Sequence, residues 1–167
     1  MKEISIKELD DNAFDLIANQ WAIITVKADD KVNAMTANWV QLGYLWSQNV
    51  ITTYVRRQRY TYDFIEKNNE YAICFFEEAY RKELGYLGTK SGRDFDKLKE
   101  CNMTVSQYNN VDYIDQARLV FICEKIYVDE IREEKFIDKN IIADCYPNKD
   151  FHKVYVSRIK HILVKEN

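Results

Sequence analysis

The chain has 167 residues, 47% of them apolar and 14% aromatic, enough to bury a core without disulfide staples and too apolar for a disordered chain. Its formal net charge of −3 and pI near 5.5 exclude a global basic field for nucleic acid or an anionic membrane, so any affinity for anions has to be local. With 4 Gly and 1 Pro there is no linker-like stretch, and no internal repeat is visible, so a single domain over 1–167 is expected.

Met1-Lys-Glu-Ile-Ser-Ile-Lys7 lacks an apolar signal core and no run reaches transmembrane length, which leads to the expectation of a soluble cytoplasmic protein. Trp21 to Ala28 is rich in β-branched residues and reads as a strand. Asn33-Ala-Met-Thr-Ala-Asn-Trp39 follows, mostly small or hydroxyl side chains closed by an indole, and offers a close backbone approach beside an aromatic wall. A second strand, Val50 to Val55, runs into Arg56-Arg-Gln-Arg-Tyr-Thr61. Thr61 is placed to cap a helix reaching to about Asn69, with Asp63 in its first turn.

Tyr71 to Phe76 reads as a third strand. Tyr80, Leu84 and Leu87 then recur at helical spacing, with Gly88 positioned to end that helix. In Lys90-Ser-Gly-Arg-Asp94, Ser91 and Asp94 resemble a shortened capping box opening a helix with Phe95 and Leu98 inside. Leu119 to Val128 and Val154 to Val164 complete the strands. In the last, Val154 and Val156, then Ile159, His161 and Leu163, step by two, with the face changing between the two sets. Long strands with short, scattered helices predict a mainly β fold, an antiparallel barrel with helical inserts, rather than a βαβ sandwich. Cys74, Cys101, Cys123 and Cys145 form no C-x-x-C pair, and Cys74 and Cys123, inside strand-like runs, read as buried reduced thiols.

Arg56 and Arg59 lie three apart in a strand-to-helix loop, so both can face one anion, with the Thr61 hydroxyl and the helix N-terminus adding donors. Charge alone describes a solvated basic turn equally well. Lys90-Ser91-Gly92 makes a second donor cluster, but it is no P-loop, because Thr89 separates Gly88 from Lys90. Without G-x-G-x-x-G a Rossmann fold is poorly supported. His152 and His161 lack an H-E-x-x-H or Cys/His cluster, so no metal is expected. His161 reads as a strand residue, whereas His152, on a polar stretch entering a strand, is more open to a role such as orienting a substrate. No G-x-S-x-G supports a serine triad, so no catalytic residue is assigned and a cofactor would have to carry any chemistry.

Four collinear segments carry a family likeness: Asn33-Ala-Met-Thr-Ala-Asn-Trp39, Tyr54-Val-Arg-Arg-Gln-Arg-Tyr-Thr61, Leu87-Gly-Thr-Lys-Ser-Gly-Arg-Asp94 with Lys97, and Asp150-Phe-His-Lys-Val-Tyr155. In these the chain resembles the flavin reductase-like, FMN-binding split-barrel family, specifically its flavoredoxin-type branch. Weaker similarity at Val120-Phe-Ile-Cys-Glu-Lys-Ile-Tyr127 extends the likeness over nearly the whole chain. The resemblance implies a six-stranded Greek-key FMN-binding split barrel and a homodimer with FMN near the subunit interface. It places the backbone of Met35, Thr36, Ala37, Asn38 and Trp39 along the isoalloxazine ring, with Trp39 either walling the pocket or sitting in the core. Arg56, Arg59, Thr61, Lys90 and Ser91 would supply phosphate and ribityl contacts, and Tyr54, Val55, Tyr60 and Gly92 would complete the cofactor site. Lys97 would add charge there or be solvated.

Arg57 stands where family members often have Pro, Asn38 replaces a smaller Ser or Gly, and Ser157-Arg158 replaces the usual Gly-Glu. None of these changes removes an anion donor. The resemblance implies an FMN-dependent oxidoreductase taking hydride from NADH or NADPH and passing it to a flavin or another small acceptor. It implies, nearly as much, an electron-transfer protein with tightly bound FMN and a redox protein partner. A flavin-storage module is the third alternative.

Overall fold

Residues 1–166 are described in a computed structural model of the chain; the last residue of the expected 1–167 domain lies outside them. The strands are β1 (Lys2–Ile4), β2 (Ala22–Ala28), β3 (Lys31–Ala37), β4 (Val40–Leu45), β5 (Gln48–Arg56), β6 (Glu70–Phe75), β7 (Val105–Tyr108), β8 (Val111–Ile114), β9 (Leu119–Glu130) and β10 (His152–Val164). The helices are α1 (Ala13–Asp15), α2 (Tyr60–Lys67), α3 (Arg81–Thr89), α4 (Lys97–Glu100) and α5 (Asn140–Cys145). All the strands but β7 and β8 join one sheet in the order β3-β2-β6-β9-β10-β5-β4, with β1 on β10 and every pairing antiparallel.

The connection between β3 and β4 fixes the shape of this sheet. They occupy its opposite edges, yet only Asn38 and Trp39 separate them. Laid flat, those edges would stand about 29 Å apart at the usual strand spacing. The three Cα steps from Ala37 to Val40 span at most about 11 Å. The sheet therefore curls until its edges nearly meet, and the seam between β3 and β5 is the split of a split barrel. The mainly β barrel with helical inserts is as expected, and the sheet runs to 8 strands, two beyond the expected six.

Both faces of the central strands are buried, which is why β2, β6 and β9 read as continuous apolar runs. Ile24, Ile73, Phe75 and Phe121 point into the barrel with Ile51, Val55 and Tyr155. Their neighbours Ile23, Ala72, Cys74, Val120 and Ile122 point outward, under Leu84 and Leu87 of α3 and Val111 and Tyr113 of the β7–β8 hairpin. Cys74 and Cys123 are buried thiols as expected, and burial raises Cys74 to about 11 and Cys123 well above its ordinary value.

Some local expectations change. Ile159, His161 and Leu163 do not share one face of the last strand. A bulge between Ile159 and His161 keeps Tyr155, Ile159, Ile162 and Val164 against the inner core and turns Leu163 outward. Gly88 does not end α3, which continues to Thr89. Strands β1, β3, β4, β7 and β8 were not expected. The β7–β8 turn is made by Asn109 and Asn110, both at positive φ (47° and 65°), a conformation that Asn tolerates better than most side chains.

Candidate functional site

Where the seam opens, the end of β3, the Asn38–Trp39 crossover, the end of β5 and the start of β10 enclose a cavity of about 320 Å³. One wall is the stretch Met35, Thr36, Ala37 and Asn38. Because β3 is an edge strand, alternate backbone groups point away from β2. The Ala34 carbonyl does so, accepting from Lys97 Nζ at 2.6 Å, and the two-residue period aims the Thr36 backbone off the same edge. The Thr36 hydroxyl donates to the Leu84 carbonyl at 2.5 Å, tying β3 to α3. Gly88, also on the wall, permits this approach: a Cβ there would meet the Thr36 Cβ at 3.2 Å.

Trp39 is 41% exposed, so it walls the cavity and is not a core tryptophan. Its ring lies 4.5 Å from that of His152 and 5.9 Å from that of Tyr146. Tyr54 lines the same cavity and donates its hydroxyl to Gln41 Oε1 at 3.0 Å. Val55 lines neither this cavity nor its neighbour; its side chain is wholly within the barrel core.

His152 is buried with both ring nitrogens engaged. Arg56 Nε donates to Nε2 at 3.4 Å, so Nδ1 carries the proton and gives it to the Tyr146 hydroxyl at 2.9 Å. Burial, then the Arg56 charge, pull its pKa down to about 4 against the opposing pull of Asp150. The ring is a neutral wall whose nitrogens are both occupied. Arg56 belongs to this cavity too, ion-paired with Asp150 and donating to the Cys145 carbonyl at 2.9 Å.

A second cavity, of about 410 Å³, adjoins the first and shares Met35 and Arg59 with it. Tyr60, Thr61, Lys90, Ser91, Gly92 and Lys97 all line it, joined by Asn33, Gln58, Arg93 and Asp94. Arg59 spans the joint, its Nε on the Met35 sulfur at 3.1 Å and its Nη2 on the Gly88 carbonyl at 2.8 Å. Lys97 is buried, not solvated, and donates to the carbonyls of Ala34 (2.6 Å) and Leu87 (3.0 Å). Among the described residues neither cation has a carboxylate partner. Arg93, in contrast, is paired with Asp63 at 2.9 Å. Burial, then the neighbouring Arg59 charge, lower Lys97 to about 8; burial, then Arg56, lower Arg59. Two dehydrated positive charges facing one cavity call for an anion.

The cap of α2 differs from expectation in a way that adds donors. Arg59, not Thr61, is the N-cap residue, and its side chain makes no cap bond. The first N–H groups of α2 are thus left to the cavity. Thr61 sits inside the first turn, buried, where its hydroxyl accepts from Asn33 Nδ2 at 2.7 Å and keeps its own proton to give. Ser91 opens no helix; the next one, α4, starts at Lys97 behind the Asp96 cap. Its hydroxyl instead accepts from the Arg93 N–H at 3.2 Å and shapes the 91–94 turn. Arg56 and Arg59 both line the first cavity, where Asp150 holds Arg56, and Arg59 alone of the two reaches the second.

The flavin reductase like domain matches residues 14–167. The chain belongs to the flavin reductase-like family. Among solved structures it is similar to the FMN-binding domain of a flavin reductases-like enzyme from Shewanella baltica OS155, with a TM-score of 0.70 and 14% identity over 96% of this chain and 75% of that one. It is also similar to flavoredoxin of Desulfovibrio vulgaris (Miyazaki F), at 0.67 and 20% over 87% and 69%. A third similar structure is the Streptomyces globisporus C-1027 NADH:FAD oxidoreductase, at 0.65 and 14% over 87% and 74%. No curated protein sequence matches the chain.

In this family member several site residues carried no sequence signal of their own. Asn33, Gln58 and Arg93 lie within the four collinear segments but were assigned no role there, Tyr146 lies outside them, and the roles of all four follow from contacts made across the fold. Gly92 is the exception, because a buried glycine beside a cation cluster marks a close approach. A Cβ there would overlap Asn33 Oδ1 and come within 3.1 Å of Tyr60 Cδ1. Asn33 cannot turn away without giving up Thr61. Gly92→Ala is expected to cost about 1–3 kcal/mol, read as a lower urea midpoint.

Proposed function

We propose that this flavin reductase-like protein binds FMN, with the ring in the indole-walled cavity and the phosphate in the cationic one, and passes reducing equivalents from NADH or NADPH to a flavin or another small acceptor. The observation that carries this reading is the joint at Arg59 and Met35: one cavity of backbone and aromatic walls opens onto another lined by the buried Lys97 and the half-buried Arg59, neither with a carboxylate partner among the described residues. A planar heterocycle with a dianionic tail has complementary chemistry. Arg59, Thr61, Lys90, Ser91, Gly92 and Lys97 would hold the tail, with the α2 N–H groups at Tyr60 and Thr61. Met35, Thr36, Ala37, Asn38, Trp39 and Tyr54 would hold the ring, with Arg56 beside it and Val55 contributing only through its backbone.

When bound, FMN supplies the hydride and one-electron chemistry. The chain's part is to fix the ring edge with main-chain donors from β3 and to exclude water with Trp39 and His152. His152 moves no proton in this scheme, since both its nitrogens are engaged. It shapes the space where a second reactant is oriented.

The second reading, electron transfer without nicotinamide turnover, draws support from the similarity to flavoredoxin. A homodimer is part of both readings, and a redox protein partner belongs to the second. Tyr44, Trp46 and Tyr127 are exposed together around the β4–β5 hairpin, Trp46 stacking edge-on against Tyr127 at 5.7 Å, and such a patch favours a protein contact. The four free cysteines suit a reducing, cytoplasmic compartment.

Anaerobic addition of NADH or NADPH to the purified, FMN-loaded protein is expected to bleach its visible flavin band. A protein that stays colourless and takes up no added FMN overturns the binding. Flavin bleached by dithionite but by neither nicotinamide leaves the second reading in its place.

A further inference from the structure

Between β9 and β10 the chain leaves the barrel at Ile131 and returns at Phe151, beside the indole-walled cavity. Both ends of this excursion are pinned: Glu130 still pairs with Lys153, and the Ile131 N–H donates to the His152 carbonyl at 2.9 Å. Between them it buries little. No residue of α5 is buried, Ile137 is fully exposed, and Tyr146 alone among residues 131–151 is buried. A segment with so few apolar anchors opens at low free energy unless something else ties it down.

Arg56 is that tie. Its Nη2 holds the Cys145 carbonyl at 2.9 Å and its Nη1 holds the Asp150 carboxylate, both on the returning limb. Gln58 Nε2 donates to the same Asp150 oxygen at 2.6 Å. The pair is largely dehydrated, with side-chain exposures of 28% for Arg56 and 18% for Asp150, so it outweighs an ordinary surface ion pair. The guanidinium also lies 5.9 Å from the Trp39 ring and 5.4 Å from the Tyr146 ring. The outer wall of the cavity is thus held by this latch together with the rings of Phe136, Tyr146 and Phe151, and the Arg56 charge is free for the cavity once Asp150 releases it. Asp150 Oδ1 is buried with no partner, so the carboxylate gains hydration on release and part of the cost of parting is returned.

We propose that Arg56 is a positioning residue that exchanges partners, holding Asp150 while the cavity awaits its second reactant and an anionic group of that reactant once it enters. Asp150 then acts as the competitor that sets how strongly the site favours reactants bearing a phosphate, carboxylate or sulfonate over neutral ones of the same shape. This rests on the reading of the cavity as the flavin-ring site. The exchange needs no bond to form or break covalently; one charge-assisted hydrogen bond replaces another.

Asp150→Asn keeps the side-chain size and removes the competing charge. Hydrogen exchange on the flavin-free protein is the first readout, and the amides of residues 132–151 are expected to exchange about threefold to tenfold faster, with the sheet unchanged. The second is reoxidation of the dithionite-reduced, FMN-loaded protein by a naphthoquinone and by its sulfonate. The half-saturating concentration of the sulfonate, divided by that of the neutral quinone, is expected to fall about fivefold in Asp150→Asn and to rise about tenfold in Arg56→Met. A ratio that moves in neither variant overturns the proposal even where exchange rises, because a merely structural tie would give that result. Unchanged exchange in both variants overturns it as well. Failure to load FMN would sink the ring-site reading instead, with the exchange measurement still deciding whether the latch exists.

Discussion

Arg59→Ala is expected to give a folded but colourless protein, with FMN affinity weakened about a hundredfold, roughly 3 kcal/mol. Arg59 is the cation that reaches both cavities, and it enters them partly dehydrated and, among the described residues, without a carboxylate partner. Its desolvation is a standing cost in the flavin-free protein that a phosphate dianion would offset. The Gly88 carbonyl loses a donor in the variant, at a cost of about 1 kcal/mol, too little to unfold the barrel. Riboflavin, which lacks the phosphate, is expected to lose less affinity than FMN, and that difference separates an anion contact from general damage to the cavity. Fluorescence titration with both ligands decides the matter. Equal losses, or an FMN affinity at the wild-type level, would remove Arg59 from the joint. Arg56→Ala is expected to act differently, loosening residues 131–151 more than it weakens the tail site, because its charge is matched by Asp150.

The contrast between these two arginines shows how far the sequence could be read. Their spacing announced a basic loop between a strand and a helix, and that loop is where the two cavities meet. What spacing could not supply was the partner of each. Asp150 lies 94 residues from Arg56, and nothing local to either residue points to the other. The same holds for Lys97: a lysine in a polar stretch reads as solvated, and only the packing of α4 under β3 and α3 brings it to the carbonyls of Ala34 and Leu87.

Central strands were legible because burial on both faces leaves continuous apolar runs. The edge strands β3 and β4 were not, since β3 carries Asn33, Thr36 and small residues suited to a close approach, and β4 is largely exposed. Thus the stretch that looked like a binding segment was also a strand, and its edge position is what frees its backbone for a ligand. The bulge after Ile159 escaped because a period-two pattern does not reveal where the extra residue sits.

FMN affinity is expected to fall as the pH rises above about 8, with Lys97 as the titrating group. In the flavin-free protein, burial and then the Arg59 charge depress its pKa from the ordinary 10.5 to about 8. A dianion in the cavity favours the charged amine and raises that value. Between the two values binding therefore takes up a proton, and Kd rises about tenfold per pH unit. Lys97→Met is expected to bind more weakly at pH 7 and to lack the rise, and riboflavin is expected to lack it even in the wild type.

The folding equilibrium of the flavin-free protein has the opposite slope. Because the native pKa lies below the unfolded one, the unfolded state binds more protons between about pH 8 and 10.5, and stability gained through Lys97 rises across that window, by about 3 kcal/mol at most. Urea unfolding and FMN titration from pH 7 to 10, each taken as wild type minus Lys97→Met, isolate the lysine from the tyrosines and cysteines that titrate nearby. A buried lysine with only a structural role would change stability with pH and leave ligand affinity flat. Opposed slopes in stability and affinity are the mark of an ammonium kept dehydrated to meet an anion.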